Sequence, residues 1–501
     1  MSITGPGSIT AANVQAVTAM NKQLDQLSQE LASGQASQTY SGLGSQAGLA
    51  LSLSTQLAAI NGYSTNATTV GTTLTLAQSV LTQLGSTQSA VEQSITQGAA
   101  FNLDNNGQTT TQEAAAADLD QIVALLNTQV GNTYLFSGSA VTQPSVATTD
   151  QILNGNGAQA GFKQVLAERQ AADLGSGLGR LVIPAAVGST VSISEDVAGS
   201  PFGFKLAGVN SSLTGATVTG PTGSPPAISV NLASNPNDGD TIKFALTLPD
   251  GSSQTIALQA TTSSPPGAGQ FTIGSTTAAT ATNLQAALTT AVGNLAQTAL
   301  PTASAIAAAN DFFNSNPPLR VNGTPATATS LVAGTNANTV FWYTGESGST
   351  PARQTATAQV GPSVTVAYGM RANEQAITTL VSNVALLAAS TYSASDPNAQ
   401  TNYQALAYTV AANLGGQGGT QSIDDIEADL ANAQTTIKNA TDLNTQTQTT
   451  LTDMLQSIEG INQSQIGEQI LTLQNSLSAS LSVTARLAQI SLVNYLAPVS
   501  G

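Results

Sequence analysis

Neither cysteine nor histidine occurs among the 501 residues of this chain. Without thiols there is no disulfide, no thiolate metal site and no cysteine nucleophile. Without imidazole there is no Ser-His-Asp triad, no Cys-His dyad, no HExxH site and no histidine-ligated metal centre. Few enzyme classes survive, so the chain is expected to be no enzyme and to carry no cofactor. Charge is scarce too, at 8% of residues, and Lys and Arg total 11 against 27 Asp and Glu, a formal charge of -16. A phosphate backbone or an anionic bilayer would repel such a surface, and neither nucleic acid nor membrane insertion is expected. Long apolar runs are missing as well: no window approaches roughly 18 uninterrupted apolar residues. Met1 to Ala12 has neither a basic n-region nor an apolar h-region. The expectation is a chain without a cleaved signal peptide, exported by a dedicated apparatus if it works outside the cell.

What is present is 41% hydrophobic sequence, enough for a core, and polar positions filled by Ser, Thr, Gln and Asn rather than by charge. Such a surface suits close packing against neighbours. From Ala11 to Leu31 the residues Val14, Val17, Met20, Leu24, Leu27 and Leu31 recur at steps of three or four, and Ser33-Gly34 stops the stripe. A second helical stretch begins near Ser45 and shows Val70, Leu74, Ala77, Leu81, Leu84, Val91 and Ile95 in heptad register, with Gln88 in the remaining seam position. Leu119, Ile122, Leu126 and Val130 mark a third helix.

The other end mirrors this. A helix is expected around Glu374 to Ala389, then a break at Gly415 to Gly419. A long heptad seam follows, made of Ile423, Ile426, Leu430, Ala433, Ile437, Ala440, Leu451, Met454 and Ile458, with Asn444 and Thr447 as polar interruptions. Gly460 marks a join. Ile466, Ile470, Leu473, Leu477 and Leu481 form the last stripe, which ends at Ser491 to Leu496. A buried Leu or Ile is worth roughly 1.5 to 3 kcal/mol, so these stripes need partners, and the two ends are expected to supply them to each other.

Between the ends, composition shifts to Gly, Pro and β-formers. Thr241 to Leu248 and Thr255 to Leu258 alternate around Pro249-Asp250-Gly251, which predicts a hairpin. Phe271 and Ile273 suggest another strand, Leu284, Leu288 and Leu295 a helix. Further strand signals are Val191 to Ile193, Phe202 to Leu206, Val340 to Tyr343 and Val364 to Tyr368. The predicted fold class is α+β: a discontinuous helical bundle or coiled coil from paired N- and C-terminal segments with a central β-rich insert. The expected segments are 1–44, an inner helix paired with 460–501; 45–136, a helical rod; 137–368, a β-rich insert of one or two domains that includes a hairpin module at 238–300; 369–459, a second rod segment; and 460–501.

Candidate chemistry is thin. The adjacent acids Glu195-Asp196 and Asp424-Asp425 could serve glycoside hydrolysis, but they read as solvated surface. Gly42 to Gly48 and Gly155 to Gly161 fit neither a dinucleotide fingerprint nor a P-loop, and read as turns. Asn102, Asp104, Asn106, Gly107, Gln108, Thr110 and Glu113 fall on calcium-loop spacing without the usual first Asp. The plainer reading is a polar turn followed by a capping box from Thr110 to Glu113.

The helical ends resemble the flagellin family of bacterial flagellar axial proteins. Leu27-Ser28-Gln29-Glu30-Leu31-Ala32-Ser33-Gly34 is similar to that family's first helix end, although Gln35 stands where a basic residue is usual and Tyr40 to Ser45 replace the usual acidic segment. Asn132 to Gly138, with Tyr134-Leu135-Phe136-Ser137-Gly138, and Ser491-Leu492-Val493-Asn494-Tyr495-Leu496 resemble the hook-associated protein 3 branch. Asp238 to Leu295 resembles a β-rich module of long alphaproteobacterial flagellins. The resemblance implies a secreted structural molecule of the flagellum that serves motility. It would self-assemble at the hook-filament junction or in the filament, with flagellin, hook-associated proteins, the export apparatus and an export chaperone as partners. Val14, Val17, Leu24, Leu27, Leu31, Ile466, Ile470, Leu473, Leu477, Leu481, Leu492 and Leu496 would form the assembly interface. The competing reading is a secreted adhesin or surface-binding module displayed on a helical stalk.

Overall fold

Threonine is β-branched and a weak helix former, yet the long helices of this chain are rich in it. The computed structural model shows how they tolerate it: hydroxyls bond back to the carbonyl four residues earlier, as Thr55 does to Leu51, Thr65 to Asn61, Thr441 to Ile437 and Thr445 to Thr441. These hydroxyls are thus satisfied within their own helix, without charge. The backbone is described over residues 6–97, 101–416 and 419–495, and side chains over 11–97, 101–416 and 419–489.

The fold is mixed α+β. Its helices are α1 (Pro6–Ser33), α2 (Ala47–Thr96), α3 (Thr110–Leu126), α4 (Thr149–Asn154), α5 (Phe162–Leu174), α6 (Thr277–Ala309), α7 (Gln375–Ala389), α8 (Ala399–Leu414), α9 (Ile423–Glu459) and α10 (Gln463–Tyr495). The strands begin with the short pair β1 (Gln129–Val130) and β2 (Thr133–Tyr134), followed by β3 (Leu181–Val182), β4 (Thr190–Glu195), β5 (Lys205–Ser211), β6 (Ala216–Thr222) and β7 (Ala227–Leu232). Then come β8 (Thr241–Thr247), β9 (Ser253–Thr261), β10 (Gln270–Thr272), β11 (Leu319–Val321), β12 (Leu331–Ala333), β13 (Thr357–Gln359) and β14 (Thr365–Ala367). No described helix is long and apolar enough to cross a membrane.

The chain divides into two compact units. The larger is Thr72–Thr357 with Ala367–Gln434. Two four-stranded sheets, ordered β10-β9-β8-β5 and β3-β4-β7-β6, share a core with α6. The predicted hairpin is β8–β9, with Thr241 opposite Gln259 and Thr247 opposite Ser253. Ile242, Phe244 and Leu246 point inward between less buried neighbours, and Phe204, Phe271 and the α6 stripe Leu284, Leu288, Val292, Ala296 and Leu300 meet them. The predicted strand at 340–343 forms only isolated bridges, Val146 with Tyr343 and Ala160 with Thr339. There the aromatic side chains join a cluster instead: Trp342 packs 5.7 Å from Phe313 and donates Nε1–H to the Phe313 carbonyl at 2.9 Å.

In the same unit, α7 is buried on all sides, only Gln375 and Thr379 escaping. It packs against α3, α5, α6 and α8. Residues 102–113 serve this helix. Asp104 Oδ1 accepts the backbone N–H groups of Asn106 at 2.9 Å and Gln108 at 2.7 Å, which closes the loop on itself. Gly107 is required, because at φ +75° a Cβ would lie 2.3 Å from the Tyr392 carbonyl oxygen. The side chains of Gln108 and Gln112 then donate to the last carbonyls of α7, those of Ala388 at 2.7 Å and Leu387 at 3.1 Å, and Gln112 also to Ser390 at 2.6 Å. The capping box lies one residue earlier than predicted, Thr109 with Gln112, because Gln112 is buried and its amide serves both ends. The segment Tyr134 to Gly138 is tied to the chain just before α7: Gly138 N–H donates to Met370 O at 2.9 Å, and Ala372 N–H to Phe136 O at 2.8 Å.

Three cations of this unit, Arg169, Arg180 and Lys205, pair with acids in or beside its interior. Arg169, 4% exposed, meets Asp173 at 2.9 Å and Asp311 at 2.5 Å. Arg180 pairs with Asp196 at 2.7 Å, and Lys205 with Glu195 at 3.3 Å. Glu195 and Asp196 are therefore not the solvated surface that adjacency suggested. Glu195 is buried, and its other oxygen accepts Leu206 N–H at 3.1 Å. Asp425 accepts Ser422 N–H at 2.8 Å and caps α9.

Candidate assembly interface

The smaller unit, Met1–Gly71, Ala358–Val366 and Thr435–Gly501, contains both terminal helices. In it α2 and α9 pack through Leu53, Leu57, Ile60 and Tyr63 against Leu451, Leu455 and Ile458. The α9 seam continues the heptad through Asn444 and Thr447 but then takes Leu455, leaving Met454 43% exposed, where the sequence placed Met454. Asn444 is 2% exposed and donates Nδ2–H to the Val360 carbonyl at 2.8 Å. Asn66 does the same to the Gln359 carbonyl at 3.1 Å. Two carboxamides therefore clamp residues 358–366 to the helices, where Val360 and Val366 are buried.

The helix breaks are joined. α1 ends at Ser33 with Gly34 at φ +72°, and α9 ends at Glu459. Gln35 and Gly460 form an antiparallel bridge, in which Ala36 N–H donates to Glu459 O at 2.7 Å and Ile461 N–H to Gly34 O at 3.3 Å. Asn462 Oδ1 then accepts the N–H groups of Ser464 at 3.1 Å and Gln465 at 3.2 Å and starts α10. From this joint α1 and α10 run antiparallel in contact with each other.

Along α1 the covered face is Asn13, Val17, Met20, Leu24 and Leu27, of which only Leu27 is fully buried. Along α10 it is Ile466, Ile470, Leu473, Leu477, Ser480, Thr484 and Leu487, all half-buried. Val17, Leu24, Leu27, Ile466, Ile470, Leu473 and Leu477 thus lie in the seam between the two helices. Val14, Leu31 and Leu481 do not: they are 56%, 37% and 51% exposed. The heptad step from Leu477 falls on Ser480, so the last apolar residue of the predicted stripe turns outward. Leu496 lies outside the described residues, as does the side chain of Leu492. Two residues the sequence reading passed over, Leu471 and Val483, are 62% and 52% exposed. Leu49 and Leu51 on α2 are also more than half exposed. Their signal was available, as apolar positions left over once the seam is assigned.

A two-helix pair buries one stripe of each helix, and here both outer faces still carry leucine or valine. The charged residues of the pair are few, Lys22, Asp25 and Glu30 on α1 and Glu468 and Arg486 on α10. Elsewhere the faces hold Gln, Ser, Thr and Asn, whose desolvation costs far less than that of a charge. Such faces can be buried against further helices. Neither a protein-family model nor a curated protein matches the chain.

Proposed function

We propose that this chain is a structural subunit of the bacterial flagellum, a flagellin-family protein that self-assembles through paired terminal helices, at the hook-filament junction or in the filament, and serves motility. The observation that carries the reading is the antiparallel pair α1–α10, closed at the Gln35–Gly460 bridge and lined outside by Val14, Leu31, Leu471, Leu481 and Val483. A monomer gains nothing from those outer side chains. An assembly that covers them gains roughly 1.5 to 3 kcal/mol for each one fully buried.

In this reading the terminal segments form one discontinuous helical bundle, completed by neighbouring copies and by other axial proteins. The β-rich region is the insert carried on it. The role is structural rather than catalytic. The chain leaves the cell through the flagellar export apparatus and works outside. The terminal motifs around Leu27 to Gly34, Tyr134 to Gly138 and Ser491 to Leu496 support the family, and the scarcity of charge supports close packing.

Immunogold labelling of intact flagella tests the proposal and its two sites together: label along the length marks a filament subunit, label confined to a band marks a junction protein. Absence of the chain from sheared flagella would overturn it. Deleting residues 140–366 should preserve motility; a deletion that abolished only surface attachment would favour adhesion instead.

A further inference from the structure

In the larger unit a cleft of about 190 Å³ opens between α5, α6 and the residues around Ser390 to Asn402. Its floor is set by a proline. Pro301 stands inside α6 and has no N–H, so the carbonyl of Gln297, four residues earlier, loses its helical donor. Asn402, 6% exposed, fills the gap by donating Nδ2–H to Gln297 O at 3.0 Å. That bond fixes which way the carboxamide points, because only its nitrogen can serve a carbonyl. The other end, Oδ1, is buried and has no hydrogen-bond donor among the described residues, and Asn402 itself lines the cleft.

A buried acceptor without a donor costs free energy until something supplies one. The rest of the lining has the same uncommitted character. Lys163 on the first turn of α5 is exposed, and among the described residues it forms no ion pair and the side chains of Gln170 and Thr302 make no hydrogen bond. Thr302 differs in this from Thr298 one turn earlier, which bonds back to Asn294 at 2.8 Å. The site thus offers an acceptor at its floor, an amide and a hydroxyl on its walls and one cation at its rim. Tyr392 supplies a half-buried ring beside them.

We propose that this cleft binds a small hydroxylated carboxylate of the size and chemistry of a uronic acid: a ligand hydroxyl donates to Asn402 Oδ1 and the carboxylate meets Lys163. The inference is independent of the assembly reading, since none of these residues belongs to α1 or α10.

The test is calorimetric titration and saturation-transfer NMR on the full chain with D-glucuronate, alongside D-glucose, which lacks the carboxylate, and acetate, which lacks the hydroxyls. Glucuronate should bind saturably, and the other two about tenfold more weakly or not at all. Lys163→Gln changes an exposed side chain and should weaken glucuronate about tenfold without altering the melting temperature. Thr302→Leu fills the cleft and should abolish binding. No saturable binding of glucuronate, equal binding of all three probes, or glucuronate binding indifferent to Lys163→Gln would overturn the proposal, and would leave the Asn402 acceptor to a trapped water. Should Thr302→Leu fail to fold, Lys163→Gln still decides.

Discussion

Asn444 sits where a heptad calls for an apolar residue, and the hydrogen bond to Val360 explains why it is tolerated. A polar seam residue usually weakens a coiled coil; here it holds a strand segment against the helix instead. Asn444→Leu should leave the Val360 carbonyl buried and unpaired, at a cost of about 1 to 3 kcal/mol, seen as a lower melting temperature and new proteolytic cleavage near Gly361. An unchanged melting temperature would show that the clamp is dispensable. Arg169 poses the opposite problem, one guanidinium facing two carboxylates. Burial raises the carboxyls of Asp173 and Asp311, with Arg169 pulling against it. A carboxyl whose folded pKa is raised contributes stability while protonated. That contribution is complete below the ordinary aspartate value and is lost as pH rises through the higher folded value. Asp311→Asn should therefore hold or raise the melting temperature at neutral pH and flatten its fall between the weakly acidic range and neutrality. A clear loss of stability at pH 7 would mean that Arg169 needs both acids. None of this was legible in sequence, because periodicity registers apolar positions and is blind to a buried Arg or Asn that has found its partners.

At the scale of elements, long heptads were the legible part. The seam from Ile423 to Ala440 is buried as the spacing demands, and α1, α7, α9 and α10 occur where stripes predicted helices. Errors entered where two apolar residues are adjacent, Met454 beside Leu455, or where the seam takes a small polar residue, as at Ser480. Helices α5 and α8 went unread: Arg169 and Asp173 break the apolar stripe of the first, and the second is rich in Ala, Asn and Gln. The two faces of α10 let the proposed assembly be tested apart from folding. Leu473→Asp with Leu477→Asp puts charge into the α1–α10 seam, and that double mutant should keep a folded larger unit yet be missing from sheared flagella. Leu471→Asp changes only an exposed side chain. It should alter monomer stability by no more than about 0.5 kcal/mol while still impairing assembly. A Leu471→Asp protein that assembles normally would show that this face stays uncovered.

For the whole molecule, most of the exposed large apolar side chains belong to the smaller unit: Val14, Leu31, Leu49, Leu51, Leu443, Met454, Leu471, Leu481 and Val483. The purified chain should accordingly self-associate as concentration rises in sedimentation velocity experiments, and Leu471→Asp with Leu481→Asp should hold it monomeric. A chain monomeric at every concentration would count against assembly through these faces. The mixed α+β class and the change of composition in the middle could be read from sequence. That the middle would also contain a helix as long as α6, with a proline inside it, could not, since helix boundaries there are set by packing against the sheets. The bridge between Gln35 and Gly460 has a mechanical consequence. Both polypeptide strands are interrupted at the same level and stitched together there, so a tug on α1 is delivered to α10 as shear across two backbone hydrogen bonds before either helix is stretched. Load on one terminus is load on both, and the joint yields, if it yields, by peeling the pair away as one lever.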